Sequence, residues 1–288
     1  MDFQLTEDQR ALRSGVRELL AGRFGREALR ALADAPEPPA LDRELWRDLG
    51  VAGFFALRLP ERDGGVGLGL PEAVLAFEEA GRALLPGPLV ATHLAAGEVE
   101  GAATGDTVVT AVDSSGLVPW LDASDVVRGD AAGAVPIRSV DPLTPLHRAP
   151  AGAPDPLATL LTAAEQLGSA ARSCETAVRY ARERTQFGQP IGAFQAVKHL
   201  CAQMLVRTEL ARSAVYAAAV TADPAEIRAA ALLADEAAVQ GARDCLQVHG
   251  GMGFTWEADV HLYLKRAWLR AELGPSAGAV EEEWAAAL

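Results

Sequence analysis

The chain has 288 residues, half of them hydrophobic, and a formal net charge of −13. That length allows about two domains with a large core. The acidity excludes a general nucleic-acid binder, because no basic surplus can neutralise phosphates. The N-terminal MDFQLTEDQ has no basic stretch leading into an apolar one, and no apolar run is long enough to span a membrane, so a cytoplasmic location is expected. Thr6 is placed to cap a first helix, with Glu7 and Asp8 at the positive end of its dipole. Leu5, Leu12, Val16, Leu19 and Leu20 mark its buried side. Pro36, Pro38 and Pro39 then break the chain. Helices are expected over Leu41–Leu49, Pro71–Leu85 and Leu89–Ala96, the second of them stopped by Pro86-Gly87-Pro88. Residues 1–100 thus read as a helical domain.

Residues 101–156 change character. Val108–Val112, Ser124–Val127 and Ala134–Val140 are short and β-branched, bounded by turn residues, and Pro136 confines the last to a sheet edge. Asp141–Pro156 reads as an irregular connection. This is a small β-domain. From Leu157 the chain turns helical again, in four apolar-faced patterns: Leu157–Arg184, Phe194–Val220, Pro224–His249 and Ala258–Leu273. Short turns between long helices imply an up-down bundle over residues 157–288. The alanine-rich faces 214–219 and 229–234 permit close helix contact and also fit an oligomer interface. Cys174, Cys201 and Cys245 fall inside apolar helical runs, which predicts buried free thiols, and their spacing suits no metal. No P-loop or dinucleotide fingerprint occurs. The fold class is mainly α with a small β insert.

Two stretches of the bundle stand out. The first, Arg184–Gln203 (RTQFGQPIGAFQAVKHLCAQ), interrupts two helices with a turn. Gly188 suits a left-handed helix cap, and Pro190 cannot continue a helix. Taken alone, Arg184 reads as a solvated helix-end cation and Phe187 as a hydrophobic plug. The second, Asp244–Glu257 (DCLQVHGGMGFTWE), places Gly250, Gly251 and Gly253 after a helix. Alone it is a plain cap, although glycines there also let another group approach the backbone closely.

Together, RTQFGQPIGAFQ and QVHGGMGF resemble the acyl-CoA dehydrogenase flavoprotein family. Residues 1–24 resemble that family's first helix, and residues 60–88 its Pro-Glu-x-x-Gly-Gly loop and following helix. The resemblance implies an N-terminal helical domain, a central β-domain and a C-terminal four-helix bundle, with FAD lying between them and completed by a neighbouring subunit. It implies that Arg184 pairs with the FAD diphosphate, since a guanidinium suits phosphate oxygens. Gln186, Phe187 and Gln195 would lie against the cofactor, and Gln247, Gly250 and Gly251 would receive the adenosine-diphosphate portion of a neighbouring chain's FAD. In this family a glutamate takes the α-proton of an acyl-CoA thioester while the β-hydrogen leaves as hydride to the flavin. The reduced flavin is reoxidised by an electron-transfer flavoprotein.

The sequence departs from that pattern twice. A gap-free count from GGMGF places the family's Tyr-Glu-Gly base at Leu273-Gly274-Pro275, where Gly274 has no side chain. Glu272, two residues away, points elsewhere on a helix. A second base position known in relatives falls near Ala158, with Thr159 in place of an arginine; Glu165 lies two turns further on the same face. Glu165 also reads as a structural glutamate, Glu209 as a surface or interface residue, and His249 as a hydrogen-bonded structural histidine. The family's Thr-Glu-x-x-x-Gly-Ser-Asp and Trp-Ile-Thr segments are absent, and residues 101–156 are too few for its full β-domain. The chain therefore resembles the short, degenerate subunit of heteromeric, actinobacterial-type acyl-CoA dehydrogenases, an α2β2 assembly whose glutamate comes from the partner. Two alternatives remain: a self-sufficient homo-oligomer using Glu165 or Glu272, and a non-catalytic homologue without flavin.

Overall fold

The computed structural model describes residues 4–35, 39–274 and 277–286. Pro36, Pro38 and Pro275, invoked above, lie outside the described residues. The chain opens with α1 (Glu7–Arg23), capped as expected: Thr6 Oγ1 accepts from the Gln9 amide at 3.2 Å, and the Gln9 side chain accepts from the Thr6 amide at 3.0 Å. A short α2 (Arg26–Ala33) follows, which the sequence reading did not pick out. Its eight residues bury only Leu29 and Ala33, too short a stripe to declare itself. Then come α3 (Arg43–Val51), capped by Asp42, α4 (Leu70–Ala83) and α5 (Leu89–Ala95).

Five three-residue strands make the β region. β1 (Val109–Ala111) pairs in parallel with β3 (Val126–Arg128). β5 (Leu146–Arg148) runs between β2 (Leu117–Pro119) and β4 (Val135–Ile137), antiparallel to both. Pro136 does sit on an edge strand. The irregular connection expected over 141–156 is corrected: it contains β5, the central strand of that sheet. Three residues carry no readable alternation, and the pairing partners on either side supply the strand.

The C-terminal helices are α6 (Pro156–Glu183), α7 (Gln195–Thr221), α8 (Pro224–His249), α9 (Val260–Ala271) and α10 (Ala277–Ala286). Asp155 and Asp223 cap α6 and α8, each ahead of a proline in the first turn. Between α6 and α7 the chain makes a hairpin of β6 (Thr185–Gln186) and β7 (Gln189–Pro190). Gly188 has the expected positive φ, but as part of the hairpin turn and not as a helix cap, since α6 already ends at Glu183. Cys174 and Cys245 are buried, and Cys201 is half-buried.

One apolar cluster runs from Val16 on α1 through Phe77 on α4 and Leu167 on α6 to Leu262 on α9. Its tightest point is the α4–α6 crossing. A Cβ on Gly81 would fall 1.9 Å from the Glu165 carbonyl oxygen, and one on Gly168 1.9 Å from that of Glu78. Both glycines are therefore required for close approach, which Ser169 reinforces by donating to the Gly81 carbonyl at 3.1 Å. Gly168→Ala is expected to destabilise the fold by about 3 kcal/mol through overpacking. Urea unfolding checks this, and a change within experimental error would contradict the close crossing. The alanine faces also pack closely: Ala218, Ala230 and Ala234 have no exposed area. Among the described residues, no helix is long and apolar enough to cross a membrane, and no cluster of three or more His, Cys, Asp or Glu side chains could hold a metal ion.

Candidate functional site

The up-down path brings the C-terminal ends of α6 and α8 and the start of α7 to one end of the bundle. Tyr180 and His249 join the two C-termini by stacking, with ring centroids 4.1 Å apart. His249 Nδ1 donates to the Cys245 carbonyl at 2.8 Å, and burial lowers the pKa of its ring. It is the structural histidine expected. Around this joint stand the motif residues. Arg184, Gln186, Phe187, Gln195, Gln247 and Gly251 are exposed and Gly250 is partly so. Arg184 has no ion-pair partner among the described residues.

Phe187 and Gly188 form the hairpin turn with φ of +53° and +77°. A phenylalanine in that region is strained, and this one is 90% exposed, with only an edge contact to Phe194 at 6.0 Å. Gly250 ends α8 with φ +59°, and a Cβ at Gly250 or Gly251 would meet open space. The surface thus offers a free guanidinium, exposed amide side chains, an apolar ring and bare backbone. That donor set suits the adenosine-diphosphate half of FAD: charge-assisted forks for phosphate and glycines for close approach.

A cavity of about 530 Å³ lies elsewhere, between α5, the first half of α6, the last turns of α9 and the β region. Ala158, Thr159, Thr162 and Glu165 line it on successive turns of α6, so the shared face read from the sequence is real. Gly274 lines it too, with φ +105°. Its amide donates to Asp113 Oδ2 at 3.0 Å, and Asp113 also accepts from the Ser115 hydroxyl and the amides of Ser115 and Leu117. Asp113 therefore anchors the turn at Gly274 to the β region, with its oxygens occupied. Glu272 is exposed and outside the cavity. Glu209 is exposed on α7.

Glu165 is buried and pairs with Arg270 at 2.7 Å. Burial pushes the Glu165 carboxyl up and the Arg270 guanidinium down to about 10, against their mutual attraction. Next to it, Arg266 pairs with buried Asp141 and donates to the Leu85 carbonyl at 3.1 Å. The sequence reading missed Asp113, Asp141, Arg266 and Arg270. Only Arg266 and Arg270 left a trace, as charges four apart inside an otherwise apolar helical face.

Burial also lifts Asp235, on α8, to about 6, against the hydrogen bond that Gln166 Nε2 donates at 2.8 Å. Unfolded, this carboxyl titrates near 3.9, so the folded state holds more protons between about pH 4 and 6. Its favourable contribution is lost as pH rises through about 6. Asp235→Asn is expected to stabilise the protein by about 1–2 kcal/mol near pH 7.5, a figure that allows for partial exposure, and by close to nothing near pH 4. Thermal melts at both pH values check this; equal gains at both would contradict it.

The cavity and the bundle-end surface sit at opposite ends of α6, whose 28 residues span roughly 40 Å. The chain is similar to known proteins. Residues 6–104 match the N-terminal domain of acyl-CoA dehydrogenases and residues 158–276 their C-terminal domain. The chain is 37% identical to acyl-CoA dehydrogenase IpdE2 of Mycobacterium tuberculosis, over 93% of each chain. It is 33% identical to acyl-CoA dehydrogenase FadE34 of the same organism, over 91% of this chain but 45% of that one. In structure it is similar to a chain of the ChsE4–ChsE5 complex from Mycobacterium tuberculosis, with a TM-score of 0.85 and 26% identity over 99% and 98% of the two chains. The chain belongs to the acyl-CoA dehydrogenase family of oxidoreductases.

Proposed function

We propose that this chain is one subunit of a heteromeric, FAD-dependent acyl-CoA dehydrogenase whose catalytic glutamate comes from a partner chain. The observation that carries this is the separation just described. The cofactor-type surface begins roughly 28 Å along α6 from Glu165 at the cavity, which supports its serving the cofactor of a neighbouring chain. The surface suits the diphosphate half of a cofactor, whereas each carboxylate lining the cavity is already engaged: Asp113 holds the Gly274 amide, Asp155 caps α6 and Glu165 is bound to Arg270, while Gly274 has no side chain. Relatives support the reading, in that ChsE4–ChsE5 is a complex of two chains and FadE34 is about twice this chain's length.

In this reading Arg184 holds the diphosphate of the partner's FAD. Gln186, Gln195 and Gln247 donate or accept along it, and Phe187 covers an apolar part of it. Gly250 and Gly251 leave the backbone bare where the cofactor lies. The bound FAD supplies the acceptor for the β-hydrogen of the acyl thioester. The outer face of α7 carries Leu205, Val206, Leu210 and Val220, each more than half exposed, and these are the residues a partner chain would cover. The reduced enzyme passes its electrons to an electron-transfer flavoprotein. Purified alone, the chain is expected to be colourless and inactive. Co-expressed with a glutamate-bearing dehydrogenase subunit, it should yield a yellow complex that oxidises an acyl-CoA. A yellow, active single chain that loses activity on Glu165→Gln would instead establish the self-sufficient reading.

A further inference from the structure

A second cavity of about 580 Å³ opens between α1, α4, α6 and the start of α9. Its floor is apolar, with Leu20, Phe24 and Leu29. Its walls carry five guanidinium groups, from Arg17, Arg26, Arg82, Arg172 and Arg179, against the two carboxylates of Glu79 and Asp259. In a chain with a net charge of −13 this is a local reversal of sign.

Pairing accounts for only part of it. Buried Glu79 takes both forks of Arg17, at 2.6 and 2.8 Å, and lies 3.4 Å from Arg82. Arg82 turns its own fork to Glu175 outside the groove, at 2.6 and 2.9 Å. Asp259 is taken by Arg26 and by Arg30 at 3.6 Å. Two cations remain. Arg172 reaches Glu175 only at 3.9 Å and lines the groove beside Tyr263, whose hydroxyl donates to the Arg82 carbonyl at 2.9 Å. Arg179 has no ion-pair partner among the described residues. Arg172, Thr176 and Arg179 lie at i, i+4 and i+7, on one face of α6. Two planar forks with a hydroxyl between them, above an apolar floor, present donors suited to phosphate oxygens and a dry surface beside them.

We propose that this groove binds a small phosphate-bearing ligand with an apolar or planar body. Its phosphate lies against Arg172, Thr176 and Arg179, and its body lies on Phe24 and Leu29. The site is separate from the bundle-end surface and holds whether or not this chain serves a partner's FAD. The test is isothermal titration of the full chain with pyrophosphate and with ADP at matched ionic strength. Both anions should bind, ADP more tightly because it has a body for the floor, and rising salt should weaken both. Arg172→Gln combined with Arg179→Gln should weaken both by about tenfold or more, with an unchanged thermal melt showing that the variant folds. Both titrations are repeated in the Arg184→Gln background, which takes the fork of the bundle-end surface out of the reading, and binding should persist there. Absence of binding, or binding that survives the double variant, overturns the proposal. Binding lost in Arg184→Gln instead places the anion on the bundle-end surface and overturns it equally. ADP binding no more tightly than pyrophosphate removes the apolar floor from the site.

Discussion

Replacing Asp141 by alanine is expected to lower the unfolding free energy by about 3–5 kcal/mol. Asp141 is 1% exposed, and its partner Arg266 is buried as well. Its carboxylate does three things at once: it pairs with Arg266, accepts from the Leu143 amide at 3.1 Å and accepts from the Thr144 hydroxyl at 2.8 Å. The substitution strips the paired carboxylate from a buried guanidinium whose Nη2 already has no hydrogen-bond partner among the described residues. It also unties the β region from α9 and, through Arg266 and the Leu85 carbonyl, from the end of α4. Exchanging both partners for apolar residues, Asp141→Leu with Arg266→Met, should recover most of the loss, because no buried charge is then left alone. Urea unfolding measures both. A loss below about 1 kcal/mol for Asp141→Ala would mean that the pair is hydrated and not buried.

Arg184→Gln should act in the opposite manner, with little effect on folding and a large one on the cofactor. The Arg184 side chain is exposed and has no ion-pair partner among the described residues, so its removal should change stability by less than about 0.5 kcal/mol. On the proposed reading the same change removes a charge-assisted fork from the FAD diphosphate, and FAD affinity in the complex should fall by about tenfold to a hundredfold. Flavin released on ultrafiltration of the complex reads this directly. Phe187 supports the expectation from a second side, since it is an exposed aromatic held at positive φ and touches its own chain's rings only at the edge of Phe194.

What the sequence revealed and what it hid follow from the reach of the interactions. Caps and long periodic faces are local, so Thr6, the run from Pro224 to His249 and the Pro86-Gly87-Pro88 stop were legible residue by residue. The long helices were legible as periodic runs, and the up-down path explains why Tyr180 and His249 stack although sixty-nine positions separate them. Short elements were not legible. α2 has too few apolar positions to show a period, and β2 and β5 exist because each finds a partner across the sheet. The hairpin at Phe187-Gly188 was mistaken for a helix cap because both need a residue at positive φ. Hardest to foresee were the buried charges. Glu165 and Arg270, or Asp113 and the Gly274 amide, are more than a hundred residues apart, and no local pattern announces a contact of that range.

The proposed dependence on another chain turns on Gly274 at the cavity wall, which carries no carboxylate. The most direct measurement is the FAD content of the purified complex with a glutamate-bearing partner, set against the number of each chain. One FAD for each pair of unlike chains, with none on this chain alone, is the predicted result. One FAD for every chain, or flavin bound by this chain in isolation, would contradict it and return the catalytic question to Glu165.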